Sequence, residues 1–182
     1  MDLFTAIRAG DLGQVQSVLA QDPGSLNRRN ERGHTPVLIA QYHHKTDIAA
    51  YLLSLAPELD VFDACSAGQT ARVAELLDRD PGLLNAYGGD GFFPLGLAAF
   101  FGHAETTALL LDRGADVAVV SRNPLRQQAL HFAVASGQAQ VAKLLIDRGA
   151  DPKHQDAKGK SPIGLAADRG DAVMLKALKG GA

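Results

Sequence analysis

The sequence predicts a mainly α fold: a solenoid of six stacked helix-turn-helix units forming one domain over residues 1–182. Three observations carry this reading. A tetrapeptide recurs as Thr35-Pro36-Val37-Leu38, Phe93-Pro94-Leu95-Gly96, Gln128-Ala129-Leu130-His131 and Ser161-Pro162-Ile163-Gly164. Each copy opens a small apolar stretch that closes at His44, Gly102, Gly137 or Gly170. A Leu-rich stretch then follows with apolar residues at helical spacing, as in Val141, Leu144 and Leu145. Two degenerate copies align on their closing glycines, Asp2 with Gly10 and Asp60 with Gly68. The anchors therefore fall at 2, 36, 60, 94, 129 and 162, at intervals of 34, 24, 34, 35 and 33 residues. The units run over approximately 1–29, 30–58, 59–87, 88–117, 118–152 and 153–182.

Within a unit the first helix starts at the proline, whose missing N–H would be unpaired there in any case, and Pro94 to Phe101 is the clearest example. The closing glycine tolerates the left-handed conformation that ends a helix, and His44 is the exception. The second helix presents one apolar face, such as Val15, Val18 and Leu19 or Val73, Leu76 and Leu77. No unit buries that face alone, so stability comes from the interfaces between neighbours. Alanines at 6, 40, 64, 98, 133 and 166 fall where first helices approach closely, and a larger side chain there would cost about 1–3 kcal/mol.

The fifth unit reads Ala129-Leu130-His131-Phe132-Ala133 and, later, Asp147-Arg148-Gly149-Ala150-Asp151. With the period near 33 residues, it resembles the ankyrin-repeat family, and the resemblance covers essentially the whole chain. The proline-containing loops and compact form are similar to small stand-alone bacterial members. The family implies short β-hairpin-like fingers between units. Three fingers carry a glycine in a tight turn: Arg29-Asn30-Glu31-Arg32-Gly33, Tyr87-Gly88-Gly89-Asp90-Gly91 and Gln155-Asp156-Ala157-Lys158-Gly159. The finger over 119–128 is longer, with Arg126 at the glycine position and Asn123-Pro124 as its turn. Only Leu55 to Leu59 connects the second unit to the third, so one finger is missing there, and the finger row is expected to have a gap in which something binds. Residues 1–57 match 59–115 at 18 of 57 positions, against about four by chance, so the first four units are a duplicated pair.

Composition narrows the function. A net charge of −2, with 18 Lys and Arg spread along the chain, shows no basic face of the kind nucleic-acid binders carry. The lone Cys65 excludes an internal disulfide, and Met1-Asp2 leads straight into a repeat, which points to the cytoplasm. No stretch approaches the length of a membrane span. Gly159-Lys160-Ser161 lacks the earlier glycine of a phosphate loop, because His154 stands there. His43-His44 point about 100° apart on a helix end and form no chelate. His131 occupies the family's own histidine position near a finger base, and Cys65 is a buried, inert thiol. No catalytic set, metal site or cofactor motif stands out, so an enzyme is not expected.

The remaining signal is aromatic: Phe92, Phe93, Phe100 and Phe101 cluster within ten residues, with His34, Tyr42 and His43 at equivalent places in the second unit. The family's concave surface, made of fingers and first helices, is where partners bind. The expected partner-binding residues are Arg32, His34, Tyr42, His43, Asp90, Phe92, Phe100 and Phe101, extended by Arg126 and Gln127. Two roles are open to the aromatics: anchors for a partner, or core filling at the fingerless junction, with Phe4, Phe62 and Phe132 as plain core. The expected function is a protein-interaction module, monomeric, with self-association through the aromatics as an alternative. A small ligand or an enzyme site in the notch is the other.

Overall fold

The computed structural model describes residues 2–179. Its twelve α-helices come in consecutive pairs: α1 (Leu3–Ala9) with α2 (Leu12–Gln21), α3 (Pro36–Tyr42) with α4 (Thr46–Ser54), α5 (Val61–Ser66) with α6 (Thr70–Arg79), α7 (Pro94–Phe101) with α8 (Ala104–Asp112), α9 (Ala129–Ala135) with α10 (Ala139–Asp147), and α11 (Pro162–Asp168) with α12 (Ala172–Leu178). Odd-numbered helices pack on one another in sequence to form an inner layer. All six alanines at 6, 40, 64, 98, 133 and 166 are fully buried, as close approach of the inner helices requires.

The recurring tetrapeptide is a helix start. Thr35 and Ser161 accept hydrogen bonds from Leu38 N and Gly164 N, and Pro36, Pro94 and Pro162 occupy the first turn. Asp2 and Asp60 align with the prolines but act as caps themselves, accepting from Thr5 N and Asp63 N, so α1 and α5 begin one residue later in the repeat. The closing position is left-handed throughout. His44 adopts φ +52° where the other units place glycine.

The fingers are tight turns rather than hairpins. Among the described residues the only strand-like pairing is a single antiparallel bridge, Val120 with Gln128. Three fingers share one pattern: Asn30, Gly88 and Asp156 donate their N–H to the carbonyls of His34, Phe92 and Lys160. Gly33, Gly91 and Gly159 close the turns onto the carbonyls of Asn30, Gly88 and Asp156. In the longer finger Asn123 organises the turn, its side chain accepting from Leu125 N and Ser121 Oγ, and Arg126 takes φ +51°.

Two short 3-10 turns, Pro23–Asn27 and Pro81–Asn85, end the first and third pairs. Their asparagines make equivalent bonds. Asn27 accepts from Glu58 N at 2.9 Å, and Asn85 accepts from Asp116 N at 3.1 Å, each reaching the exit of the next pair.

The apolar core is divided. One cluster belongs to α1–α4 and the other runs from α5 to α12, and Leu59 packs against both. This seam coincides with the boundary of the sequence duplication. Outer helices α4 and α6 barely meet across it, whereas α10 and α12 pack closely.

Candidate functional site

The inner helices and fingers build one face, and the seam crosses it. The connection from α4 to α5 runs directly through residues 55–60, but its neighbours close the gap expected there. A Cβ at Gly89 would lie 3.0 Å from the Arg32 carbonyl oxygen, so the fingers at 30–34 and 88–92 touch across the missing one. Polar contacts reinforce the closure. Arg29 donates to Asp60 at 2.8 Å and to the Gly33 carbonyl at 2.8 Å. Thr35 donates to Asp63 at 2.5 Å. The Tyr42 hydroxyl donates to Asp90 Oδ2 at 2.7 Å, joining residues 48 apart in sequence.

Five of the expected site residues thus come together: His34, Tyr42, Asp90, Phe92 and Phe101. Tyr42 packs against His34, Phe92 and Phe101 at ring-centroid distances of 5.6, 6.2 and 6.0 Å, and Phe101 meets Phe100 edge-on at 5.0 Å. His34 Nε2 is buried 3.1 Å from Asp90 Oδ2 without a hydrogen bond, which makes this contact an ion pair only when the ring is protonated. Tyr42, Phe92, Phe100 and Phe101 are all half-buried, so they fill the junction and show only part of each ring. Phe93 and Phe132 are core, at 2% and 4% exposure, while Phe4 and Phe62 are half-buried rather than plain core.

Arg32 and His43 are exposed nearby. They line a cavity of about 630 Å³ between α1, the first finger and α3, together with Arg8, Arg29, Phe4 and Ile39. Arg126 and Gln127 stand apart on the long finger: Arg126 is exposed, and Gln127 donates to Asp156 at 3.0 Å. The later fingers join by main chain, Arg122 N to the Gly91 carbonyl and Ala157 N to the Leu125 carbonyl, both at 2.9 Å.

Burial pushes the Asp63 carboxyl up to about 7, with the neighbouring Asp60 charge adding to it and the Thr35 hydroxyl opposing. Burial also raises the Tyr42 phenol and the Cys65 thiol. A thiol so raised is a poor nucleophile. His131 is buried, accepts from Gln128 N through Nδ1 and donates Nε2–H to the Lys160 carbonyl at 3.2 Å. Burial lowers its basicity, so it acts as a neutral clamp on the last finger. Among the described residues no three His, Cys, Asp or Glu side chains are grouped to hold a metal, and no helix is long and apolar enough to cross a membrane.

Residue-by-residue reading missed Asp60 and Asp63. Their signal was the Asp-x-x-Asp spacing of a reciprocal cap at the degenerate helix start, which the structure forms in full. Arg122 was missed as well; its guanidinium lies 3.9 Å over the Tyr87 ring.

A family model described as "Ankyrin repeats (3 copies)" matches residues 61–156, more than half of the chain. Among curated proteins, the chain is 41% identical over 58 residues to mouse "Ankyrin repeat and SAM domain-containing protein 6", covering 32% of this chain and 7% of that protein. The zebrafish protein of that name is 29% identical over 127 residues, covering 63% and 17%. Human "NAD-capped RNA hydrolase NUDT12" is 37% identical over 83 residues, covering 44% and 18%. The chain therefore spans less than a fifth of the length of these relatives. All three are vertebrate proteins and lend nothing to a bacterial style.

Proposed function

The chain belongs to the ankyrin-repeat family, and from that premise we propose that it is a non-enzymatic module that binds another protein across its fingers and inner helices. Repeats of this family generally mediate protein–protein interaction. The observation that carries the reading is the contact of each finger with the next, from 28–34 to 152–160, which makes one continuous, preorganised surface. A rigid surface loses little conformational entropy on binding.

Arg32, His43 and Arg126 contact the partner, with the open edges of Phe100 and Phe101 and with Gln127 beside them. His34, Tyr42, Asp90 and Phe92 hold that surface in shape. The hydrolase activity in one relative's name belongs to a protein of which this chain matches 18%, and no reactive constellation among the described residues supports transferring it. Nor does the seam favour a small-ligand site, since Tyr42, Phe92 and Phe101 fill it.

A photo-crosslinking amino acid at His43 tests the proposal against the same probe at Val173, which is 71% exposed on α12. A discrete protein adduct in the source cell from His43 alone is the expected result. Equal labelling from both positions, or none from His43, overturns it.

A further inference from the structure

The net charge of −2 conceals a division of charge. The four segments that lead from an exit turn into an inner helix, residues 28–34, 86–92, 117–128 and 152–160, hold eight Lys or Arg against three Asp or Glu, a balance of +5. The rest of the chain holds ten against seventeen, a balance of −7. Two of the three rim acids are also consumed internally. Asp90 accepts from Phe92 N and Tyr42, and Asp156 accepts from Lys158 N, Lys160 N and Gln127. Glu31 is left as the rim's one carboxylate without such bonds among the described residues.

Of the eight cations, Arg28, Arg29 and Lys160 are paired with Asp22, Asp60 and Asp168, and the other five are available. Arg32, Arg122, Arg126 and Lys158 are exposed and have no ion-pair partner among the described residues. Arg122 is laid flat over Tyr87, and Arg126 is fixed by the turn that Asn123 organises. At its N-terminal end the rim opens on the cavity where Arg8 and His43 join Arg29 and Arg32. Asp2 and Glu31 also line it; Asp2 is engaged as the cap of α1, which leaves Glu31 as its one carboxylate without internal bonds among the described residues against the cations.

We propose that the rim docks an acidic segment of the protein partner, a stretch rich in Asp and Glu laid across the fingers from this cavity to the last finger. The inference rests on the protein-binding reading and names the chemistry of its partner. Complementary charge steers such a segment to the rim and fixes its register, while the acidic remainder of the surface turns it away from the outer helices. A nucleic acid fits less well. The finger rings Tyr87 and Phe92 are covered by Arg122 or packed on other rings, which leaves no row of stacking faces along the fingers, and the seventeen acids elsewhere repel a long polyanion.

The test measures fluorescence anisotropy of a labelled peptide of alternating Glu and Gly, beside its Gln counterpart. The Glu peptide is expected to bind more tightly, and its affinity for the native protein is expected to fall steeply between about 0.05 and 0.2 M salt. Combined Arg122→Glu, Arg126→Glu and Lys158→Glu should weaken it about tenfold or more, whereas Lys143→Glu with Lys176→Glu on the outer helices should not. Circular dichroism checks the fold of each variant, and the salt dependence stands without any variant. Equal binding of the two peptides, equal loss in the outer-helix control, or tighter binding of single-stranded DNA of matching charge would sink the proposal. A His43 adduct that survives reversal of the rim charges would overturn the acidic segment while leaving protein binding intact; absence of any adduct removes both.

Discussion

The two halves of the finger row are held together by different parts of the chain. From 88–92 onward the fingers are joined by main-chain hydrogen bonds, Arg122 N to Gly91 O and Ala157 N to Leu125 O, above a single continuous core. The first finger meets the next one across the seam, where the core is divided and the outer helices barely touch, and side chains hold the junction: Tyr42 and His34 on Asp90, Thr35 on Asp63, Arg29 on Asp60. A main-chain link persists through most substitutions. A side-chain link depends on residue identity and on protonation, so the seam is where sequence and pH should alter this molecule most.

Glycines at one turn position give the sharpest contrast. Gly91 and Gly33 have φ of +79° and +78°, yet a Cβ on Gly91 would lie 2.9 Å from the Arg122 backbone, whereas Gly33 faces open space. Gly91→Ala should cost about 2–4 kcal/mol, because strain is added to a forced parting of the fingers. Gly33→Ala should cost about 1 kcal/mol from backbone strain alone. Equal costs in urea denaturation would mean that the close approach at Gly91 yields freely and leaves backbone strain alone.

The next largest effect is expected at Asp90. Asp90→Ala strips the partner from Tyr42 and from Phe92 N and should cost about 2–3 kcal/mol, while Tyr42→Phe keeps the ring packing and should cost about 1 kcal/mol. Hydrogen exchange locates the change: the seam should open first in both variants, with Arg122 and Ala157 N–H still protected. Loss of protection at those two amides would erase the distinction between the two kinds of junction.

A further effect is the pH dependence of Asp63. Its folded value of about 7 lies above the ordinary 3.8, so its contribution to stability is fully present below about pH 4 and declines as pH rises through 7. Asp63→Asn should flatten that part of the stability profile. An unchanged slope between pH 4 and 7 would assign the dependence to other groups.

Much of the fold was legible because helix boundaries in a repeat are written in single residues. The capping Thr and Ser, the prolines after them and the closing glycines mark where each inner helix starts and stops, while the left-handed backbone of Arg126 emerged only in the structure. The fingers proved to be turns because each closes after one pair of main-chain bonds, too few to extend a ladder. The candidate site was read only in part. That 30–34 leans onto 88–92 depends on how pairs stack, which no local pattern records, and so His34, Tyr42 and Asp90 turned out to brace one another. The basic rim was invisible in a net charge that averages over both faces.

Asn27 and Asn85 carry a consequence for how the array comes apart. Each clasps the exit of the following helix pair, so the first unit is tied to the second and the third to the fourth, while no equivalent clasp crosses the seam among the described residues. The first copy of the duplicated block is thereby an energetic unit, whereas the second shares its core with the units that follow. Under tension, the first two units should release as a single step, ahead of the rest, in one extension rather than two.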